Sequence, residues 1–349
     1  MAQKVYVGLS GGVDSSVTAA LLKQRGYDVT GVYMKNWSQD LPGFPCPWKE
    51  DYQDAKRVAV QLDIPFKMYD FQSQYRHKVV DYMVNEYKAG RTPNPDVMCN
   101  QEVKFKLFLN TAIEDGADMI ATGHYARIKD GKLFTAKNKE KDQTYFLYRV
   151  TEDALTKTLF PIGEFKDKSE VRALAKKFGL VTASKKDSQG ICFVGQVGIK
   201  EFLQQYVTTK PGDIIDPDGK VLGQHDGAIF YTIGQRHGLN IGGGFPYYVT
   251  GKDMKKNEVY VTTNLDDKNL WHLELKLTNM HWINSDKSPL KDVSLQVRTR
   301  YRAPLIKCDI KHKGNVTVIT LKDEVRAVTP GQSAVIYQES RVLGGGVIV

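Results

Sequence analysis

Residues 8–16 read Gly-Leu-Ser-Gly-Gly-Val-Asp-Ser-Ser, and this stretch decides how the first half of the chain is interpreted. Residues 4–7, Lys-Val-Tyr-Val, are typical of a β-strand, and residues 17–22 are typical of a helix that Gly26 can end. The sequence therefore predicts a strand, a tight glycine turn and a helix, in that order.

Such a turn points backbone N–H groups and the positive end of a helix dipole at one small volume, which suits a phosphate or a pyrophosphate. Gly11 and Gly12 allow an anion to approach the backbone, and the hydroxyl groups of Ser10, Ser15 and Ser16 add hydrogen-bond donors. The stretch lacks the Gly-Lys-Ser/Thr of a Walker A loop and the glycine spacing of a dinucleotide fingerprint. Asp14, the acidic residue of this stretch, would be unfavourable in a simple phosphate site. Its presence is explained if it caps the helix or helps to hold Mg²⁺.

The stretch resembles the Ser-Gly-Gly-x-Asp-Ser-Ser loop of the PP-loop ATP pyrophosphatases. Enzymes of this superfamily cleave ATP between the α and β phosphates and leave AMP on an oxygen of the substrate. The resemblance implies ATP chemistry at residues 8–16, and an ordinary strand-to-helix turn is the alternative interpretation.

Length and composition limit the class of protein. At 349 residues the chain is long enough for two or three domains. It has no apolar run of membrane-spanning length and no signal peptide pattern, and its four cysteines lack the paired spacings of a disulfide scaffold or a zinc ribbon. We therefore expect a cytoplasmic protein with reduced thiols, no membrane partner and no metal site built from cysteines. The net charge of +9 favours a polyanionic partner such as nucleic acid without requiring one.

Strand-like and helix-like stretches alternate after the glycine turn. The predicted strands are 28–34, 66–69 and 118–122, and the predicted helices are 52–62, 72–87 and 104–114. This alternation predicts an α/β, Rossmann-like parallel sheet with helices on both faces. Ligands of such sheets bind beyond the carboxyl ends of the strands, so Met34, Gly123 and His124 should join the glycine loop in one cleft. Met34 could contact an adenine ring or fill the core, and Gly123 could let a nucleotide approach closely.

Residues 90–104 contain two prolines and an Asn-Pro step, which should keep Asn94 and Asp96 out of a helix and make the stretch a stiff loop. This loop would present Asp96 together with Cys99 at the start of the next helix. A carboxylate can exchange protons with a substrate there, and a helix N-terminus favours a thiolate. A buried structural cysteine is the alternative for Cys99, and a role in orienting the substrate is the alternative for Asp96.

A second cysteine, Cys192, lies in the stretch 185–195 between two glycines and after Lys185 and Lys186. The glycines suggest a mobile loop, and the lysines could lower the pKa of the thiol. Only the fold can bring Cys192 to Cys99.

Taken together, these segments resemble the bacterial tRNA-specific 2-thiouridylases. The matching segments are the loop 8–16, Asn94-Pro95-Asp96 followed by Cys99, Gly123-His124-Tyr125, Lys141-Asp142-Gln143 and residues 187–193. The resemblance covers most of the first 200 residues. It implies 2-thiolation of the wobble uridine in the tRNAs for lysine, glutamate and glutamine, with ATP and Mg²⁺ as cofactors. It also implies a sulfur donor protein, either a cysteine desulfurase or a sulfur-relay protein.

The same resemblance implies a role for each matching residue. The implied ATP contacts are Gly8, Leu9, Ser10, Gly11, Gly12, Val13, Asp14, Ser15, Met34 and Gly123. Cys99 is implied as the nucleophile and Cys192 as the persulfide carrier. Sulfur would pass from Cys192 directly, or as hydrosulfide released when Cys99 forms a transient disulfide with Cys192. The implied contacts to tRNA are Asn94, Pro95 and Asp96 at the target base, and His124, Lys141, Asp142, Gln143, Arg300, Tyr301 and Gln332 elsewhere.

The pattern changes beyond about residue 205, where glycine turns separate short β-like runs. We predict a PP-loop catalytic domain over residues 1–205, a small central β domain over 206–266 and a C-terminal β-barrel-like domain over 267–349 that contributes to tRNA binding. Residues 298–302 carry three arginines and a tyrosine. Such residues can pair with phosphates and stack on a base, and the alternative interpretation is a charged strand with one core tyrosine. Residues 141–143 could equally be a solvated turn. The role of residues 232–238 does not follow from the sequence.

Two other functions are each consistent with part of the sequence. A PP-loop synthetase that acts on a small molecule would explain the nucleotide loop but not the two cysteine motifs. A non-catalytic RNA-binding protein would explain the charge and the β domains but not the nucleotide loop. An iron–sulfur or metal site at Cys99 and Cys192 has no support from a C-x-x-C pair.

Overall fold

The computed structural model describes residues 2–40, 46–186, 198–242, 244–284 and 294–349. In the first 200 residues the strands are Lys4–Gly8 (β1), Asp28–Lys35 (β2), Phe66–Asp70 (β3), Met119–Ala121 (β4), Ala126–Lys129 (β5), Lys132–Thr135 (β6) and Thr158–Leu159 (β7). The helices are Val13–Gln24 (α1), Trp48–Gln61 (α2), 72–88 (α3), 95–114 (α4), Glu152–Thr156 (α5), Lys168–Lys177 (α6) and Ile199–Leu203 (α7), with short 3₁₀ turns at Thr144–Phe146, Pro161–Glu164 and Val181–Ser184.

Five of these strands form a parallel sheet in the order β3-β2-β1-β4-β7, which confirms the predicted α/β, Rossmann-like architecture. The central strand β1 pairs with β2 on one side and with β4 on the other, with Val5 opposite both Val29 and Met119. The chain leaves β1 through the glycine stretch and enters α1, as predicted. The stretch therefore lies at the carboxyl edge of the sheet where the strand order reverses, which is the usual ligand site of open α/β sheets.

The helix 95–114 differs from the prediction, since it begins nine residues before the expected start at residue 104. Asn94 is its N-cap and accepts a hydrogen bond from Val97 N, and Pro95 is its first residue. A proline is favourable at this position because a backbone N–H there would have no hydrogen-bond partner within the helix, so nothing is lost by its absence. Residues 99–108 then continue the helix with wide, π-type turns.

The central part of the chain forms a second, four-stranded sheet in the order β10-β11-β8-β9. Its strands are Gly212–Ile215 (β8), Val221–His225 (β9), Tyr248–Asp253 (β10) and Glu258–Thr262 (β11), with a 3₁₀ turn at Ala228–Phe230. Its small core contains Ile214, Val249 and Val259, which are all fully buried. The small β domain that the glycine turns predicted is thus present.

The C-terminal part forms a closed antiparallel barrel, as predicted. Its strands are Trp271–Trp282 (β12), Leu295–Arg298 (β13), Ile306–Lys313 (β14), Val316–Arg326 (β15), Ser333–Gln338 (β16) and Arg341–Ile348 (β17). They follow the order β12-β15-β14-β13-β16-β17, and pairing of β17 with β12 closes the barrel. The hairpin β5–β6 extends the same sheet, because Leu133 pairs with Val342. A segment of the first 200 residues is therefore continuous with the C-terminal sheet.

Within the described residues, no helix is both long enough and apolar enough to cross a membrane.

Candidate nucleotide and base site

The glycine stretch, called the cradle below, has backbone features of an anion site at the start of α1. Gly12 is the N-cap with an extended backbone, and no side chain caps the helix there. The first-turn N–H groups therefore point out of the helix without a side-chain acceptor, as an anion site requires. Gly11 has a φ of +75°, and a Cβ at this position would lie 2.5 Å from the carbonyl oxygen of Asp51. Only glycine fits there, because both the backbone angle and the contact with α2 exclude a side chain.

The serine hydroxyl groups mostly stabilise the loop itself. Ser15 Oγ and Ser16 Oγ both donate to the carbonyl oxygen of Gly12, at 3.1 and 2.8 Å. Ser10 N donates to Ser15 Oγ at 3.1 Å. In the described structure the hydroxyl groups of Ser15 and Ser16 thus donate within the loop, whereas Ser10 is exposed. The prediction that these serines add donors for an anion stays a prediction.

Asp14 lies in the first turn of α1 and does not cap the helix, so that interpretation is wrong. Its carboxylate instead accepts hydrogen bonds from Lys168 Nζ, at 2.7 Å to each oxygen, and from Tyr125 Oη at 2.9 Å. The ion pair is half-buried, with the Lys168 side chain 14% exposed. The carboxylate is therefore held in a fixed position beside the cradle.

Lys168 is a site residue that the sequence analysis missed. It follows Asp167, which caps α6 and forms a capping box with Glu170. Lys168 is then the first residue of α6, where the helix dipole opposes a positive charge. Its pairing with Asp14 compensates for this position. A lysine directly after a capping aspartate was the available signal, and sequence alone does not say which carboxylate it meets.

Met34 and Gly123 lie where the sequence predicted, at the carboxyl ends of β2 and β4. A Cβ on Gly8 would lie 2.9 Å from Met34 Cε, so this thioether packs beneath the start of the glycine loop. A Cβ on Gly123 would lie 2.7 Å from Ser15 N and 2.8 Å from the carbonyl carbon of Asp14. In the described state, Gly123 lets the end of β4 touch the backbone of α1.

We expect Gly123→Ala to disturb the cradle, because the added methyl group would meet backbone atoms that cannot rotate away. The free energy of unfolding should fall by about 1–3 kcal/mol, the usual range for overpacking, and AMP formation should fall with it. Thermal unfolding and AMP release measure the two effects. Gly223→Ala is the matched control, since a Cβ there meets nothing within 4 Å. Equal stability of the two variants would contradict the prediction.

Residues 94–99, predicted to contact the target base and called the base motif below, begin α4 and do not form an irregular loop. Asp96 lies in the first helical turn, so the prediction that it stays out of the helix is wrong. The Asn-Pro step acts as N-cap and first residue, a signal that was available in the sequence. Cys99 is the fifth residue of the helix and is 5% exposed. Cys99 therefore lies beyond the first turn of the helix. Because the helix dipole stabilises a thiolate most within the first turn, Cys99 receives less of this stabilisation.

Lys104 lies eight residues after Asp96 on α4 and contacts His124 at the end of β4. Burial raises the pKa of the Asp96 carboxyl, and the charge of Lys104 opposes this rise. Lys104 Nζ lies 3.4 Å from His124 Nε2, and His124 Nδ1 lies 2.7 Å from Thr122 Oγ1. His124 is only 8% exposed, and burial, with the charge of Lys104, lowers the pKa of its imidazole. Lys104, which the sequence analysis missed, therefore contacts His124 and carries a charge that acts on the Asp96 carboxyl.

The two β domains clamp the segment that precedes the base motif. Gln332 Nε2 donates to the carbonyl oxygens of Thr92 and Pro93 at 2.9 and 3.2 Å, and Thr92 N donates to the carbonyl oxygen of Pro330. The hydroxyl groups of Thr92 and Thr232 lie 3.1 Å apart. The sequence left the role of residues 232–238 open. In the structure, Thr232 of this stretch contacts Thr92, which lies in the segment before the base motif. Gln332, predicted to touch tRNA, holds this segment in the described state.

The tripeptide 141–143 is not a solvated turn. Asp142 is 3% exposed, accepts hydrogen bonds from Ala136 N and Thr144 Oγ1, and pairs with Arg298 of the barrel at 3.4 Å. Burial raises the pKa of the Asp142 carboxyl. Gln143 Oε1 accepts a hydrogen bond from Tyr125 N at 2.9 Å. These two side chains have structural partners, and their contacts with tRNA stay predictions.

Asp142→Ala should destabilise the chain by about 3–5 kcal/mol, because the guanidinium of Arg298 would lose its buried partner. Chemical denaturation measures the change. Asp309→Ala is the control, since Asp309 forms an exposed ion pair with Lys322 that should contribute about 1 kcal/mol or less. Similar unfolding midpoints for the two variants would show that Asp142 has no special structural role.

Arg300 and Tyr301 lie at the surface of the barrel. Arg300 is exposed, and the half-buried ring of Tyr301 packs on Phe146 with 4.5 Å between ring centroids. The guanidinium of Arg302 lies 5.2 Å from the Tyr301 ring. The exposed arginines remain available to phosphates, while the tyrosine is already part of an aromatic contact.

The cysteines differ in their surroundings. Cys192 lies outside the described residues, as does the rest of the segment 187–193. Cys46, Cys99 and Cys308 form no disulfide. Burial raises the pKa of the Cys308 thiol to about 12, which favours the protonated thiol and a structural role on its strand. The described residues contain no group of three or more histidine, cysteine or acidic side chains suited to a metal.

Comparison with known proteins adds to this geometry. Three family descriptions match successive parts of the chain: a tRNA methyl transferase HUP domain over residues 3–196, a tRNA methyl transferase PRC-barrel domain over 200–263 and an aminomethyltransferase beta-barrel domain over 272–348. The tRNA-specific 2-thiouridylase MnmA of Bacillus subtilis is 50% identical over 352 residues, which cover 99% of this chain and 94% of that protein. The chain belongs to the tRNA-specific 2-thiouridylase family.

A second member of the 2-thiouridylase family, from Listeria monocytogenes, is 47% identical over 351 residues, with 99% of this chain and 94% of that protein covered. Among solved structures, a 4-thiouridine synthetase in complex with RNA and ATP matches 59% of this chain and 50% of that chain, with 21% identity and a TM-score of 0.39. A match this distant carries no argument about function.

For this member of the 2-thiouridylase family, the predicted site residues fall into three groups. The cradle 8–15, with Met34 and Gly123, is assembled at one edge of the parallel sheet. His124 contacts Lys104, which lies on the same helix as Asp96, and Gln332 contacts the segment that leads to this helix. Arg300 and Tyr301 lie apart on the barrel surface, and the pairing of Cys99 with Cys192 lies outside what is described.

Proposed function

We propose that this protein is an ATP-dependent tRNA sulfurtransferase that converts the wobble uridine of the tRNAs for lysine, glutamate and glutamine into 2-thiouridine. The observation that carries the proposal is the open anion cradle at the switch point of the sheet, next to a helix that bears Asp96 and Cys99. Membership of the 2-thiouridylase family supports the tRNA substrate.

The first step of the proposed reaction is adenylation of the uracil 2-oxygen. The N–H groups of residues 11–15 would bind the phosphates of ATP, and Lys168 would add positive charge once Asp14 turns toward the nucleotide. Asp14 fits Mg²⁺ as a single carboxylate ligand, with the remaining ligands supplied by phosphate oxygens and water. When bound, Mg²⁺ offsets phosphate charge during displacement of pyrophosphate.

The second step is sulfur transfer. The outer sulfur of a persulfide on Cys192 would attack the activated C2 of uracil, and AMP would leave with the former 2-oxygen. Cys99 would then attack the inner sulfur, form a disulfide with Cys192 and release the thiolated base. Reduction of this disulfide by an external dithiol would close the cycle. In the variant route, the same disulfide releases hydrosulfide before the attack on C2.

The partners proposed for this reaction are tRNA and a persulfide donor, either a cysteine desulfurase or a sulfur-relay protein. The exposed arginines of the barrel and the net charge of +9 suit a polyanionic substrate. A cytoplasmic location is proposed because the reaction needs ATP, tRNA and reduced thiols together.

One assay tests the function against its alternatives. Purified protein is incubated with unmodified tRNA, ATP, Mg²⁺ and a persulfide donor, and the nucleosides are analysed by mass spectrometry. We expect 2-thiouridine together with AMP. AMP without thiolated uridine would favour a synthetase acting on a small molecule, and tRNA binding without either product would favour a non-catalytic RNA-binding protein.

A further inference from the structure

Helix α2 has a face that is turned away from the parallel sheet. Its buried residues Ala55, Val58 and Ala59 pack toward the core. The opposite face has the spacing of one helical stripe, and its exposed side chains are Gln53, Lys56, Arg57, Val60 and Gln61. Val60 is 72% exposed near the middle of this polar stripe. An apolar side chain thus stands where burial in the core does not explain it.

The turn at residues 179–181 is fastened beside this stripe. Gln61 Nε2 donates to the carbonyl oxygen of Gly179 at 2.9 Å, and Gln61 Oε1 accepts a hydrogen bond from Val181 N at 3.1 Å. Val181, which is 46% exposed, therefore lines one open depression of about 350 Å³ together with Val60 and the rest of the stripe. A single exposed apolar side chain is ordinary, whereas apolar side chains that share a polar-rimmed depression favour an interaction site.

The rim of the depression is positively charged. Among the described residues that line it, Lys56 and Arg57 are cations and none is a carboxylate. Asp54 lies behind the rim on the same helix, but Arg57 and Lys185 both pair with it, at 3.4 and 2.6 Å. The rim therefore suits a partner with acidic groups around an apolar side chain. An RNA backbone would use the cations but not the valines, so the combination favours a protein.

The depression lies close to the point where the chain continues toward Cys192. Lys185 follows Val181 by four residues, and its ammonium is held on α2 by Asp51 at 2.8 Å and by Asp54 at 2.6 Å. Cys192 comes seven residues after Lys185. Seven residues span at most about 25 Å, so Cys192 cannot lie farther than this from the fixed lysine. A protein bound over the depression is therefore within reach of the Cys192 thiol.

We propose that the depression between α2 and residues 179–181, called the docking surface below, binds an acidic protein that carries a cysteine persulfide and loads Cys192. The inference rests on the proposed function and adds the place where its sulfur donor binds. In the loading step, the Cys192 thiolate attacks the outer sulfur of the donor's persulfide. A new S–S bond forms at Cys192, the S–S bond of the donor breaks, and the donor cysteine leaves as a thiolate. One sulfur atom is transferred without net oxidation.

The test compares two sulfur sources with the full-length protein in single-turnover thiolation without added reductant. Purified cysteine desulfurase with cysteine delivers persulfide through protein contact, whereas sodium sulfide supplies hydrosulfide that displaces AMP from the activated C2 without a partner. Val60→Glu and Lys56→Glu are assayed with each source, together with AMP formation, the tRNA dissociation constant and the thermal unfolding midpoint. Val221→Glu and Lys220→Glu are the matched controls, because both residues are exposed on the central domain.

We expect the half-saturating concentration of desulfurase to rise about tenfold or more in Val60→Glu and Lys56→Glu, as for loss of a central interface contact. With sodium sulfide both variants should thiolate at the wild-type rate. AMP formation and tRNA binding should change by less than about twofold, and the unfolding midpoints should match the wild type because surface substitutions rarely alter stability. Added salt should raise the half-saturating concentration for the wild type, and less so for Lys56→Glu. The control variants should match the wild type with both sources.

An unchanged half-saturating concentration in both variants would overturn the inference, and so would a wild type that uses sulfide but gains nothing from the desulfurase. Equal losses with both sources would overturn it as well, because the residues would then act in catalysis or folding. Weaker tRNA binding by the variants would make the docking surface an RNA contact instead. Absence of thiolation from either source by the wild type would refute the proposed function, and this inference with it.

Discussion

Asp14→Ala is expected to lower AMP formation by at least about a hundredfold, while tRNA binding changes by less than about twofold. The carboxylate lies beside the anion cradle and holds Lys168 through two hydrogen bonds of 2.7 Å. Its loss removes the proposed Mg²⁺ ligand and releases the lysine, and loss of one preorganised charge-stabilising group typically costs a factor of about 10²–10³ in rate. Release of labelled pyrophosphate in the presence of tRNA measures the effect.

The control for Asp14→Ala is Asp153→Ala, since Asp153 is exposed and forms only a surface ion pair with Lys157. Lys168→Met and the double variant complete a thermodynamic cycle. Because Asp14 and Lys168 are in direct contact, the effects of the two substitutions should be less than additive. Wild-type AMP formation by Asp14→Ala would show that residues 8–16 are not the nucleotide site.

Cys99→Ser is expected to reduce thiolation of tRNA to the background rate, while adenylation continues at a rate close to that of the wild type. A serine hydroxyl keeps the size of the side chain but cannot attack the persulfide sulfur or form the disulfide with Cys192. Nucleoside mass analysis reports thiolation, and pyrophosphate release in a single turnover reports adenylation. In this variant, thiolation should therefore be lost while pyrophosphate release is retained.

Cys308→Ala is the matched control for Cys99→Ser. Both thiols are 5% exposed, but Cys308 lies on β14 of the barrel, away from α4. We expect full thiolation by Cys308→Ala, with no more than a modest loss of stability. Thiolation by Cys99→Ser at the rate of Cys308→Ala would remove Cys99 from the mechanism.

Several features of the site could be predicted from short stretches of sequence. The glycine stretch predicted its strand, turn and helix, because a β-rich segment, closely spaced glycines and a helix stop are local signals. The turn of the β5–β6 hairpin is an equally local feature, because Asp-Gly is a typical two-residue hairpin turn and both Asp130 and Gly131 have the positive φ that it requires. The prediction placed the start of α4 too late for a reason that is also local. The Asn-Pro step is typical of a loop, but the same pair can also cap a helix and begin it, as it does here.

Other features could not be predicted because they join distant parts of the chain. Asp14 was assigned to a cap or to Mg²⁺, and its partner Lys168 lies 154 residues away. The clamp on Thr92 comes from Gln332, 240 residues later. No periodicity or motif in either segment encodes these pairings. They depend on how the sheet, the central domain and the barrel pack together.

The sequence by itself determined the nature of the cradle, the parallel sheet that carries it and the family to which the chain belongs, because these depend on local backbone preferences and on motifs read in order. The tertiary structure alone decided the state of the side chains: Asp14 is neutralised by Lys168, His124 is neutral beside Lys104, and Asp142 is buried against Arg298. The physical reason is that charge and protonation depend on burial and on the nearest opposite charge, and both are set by residues far apart in the chain.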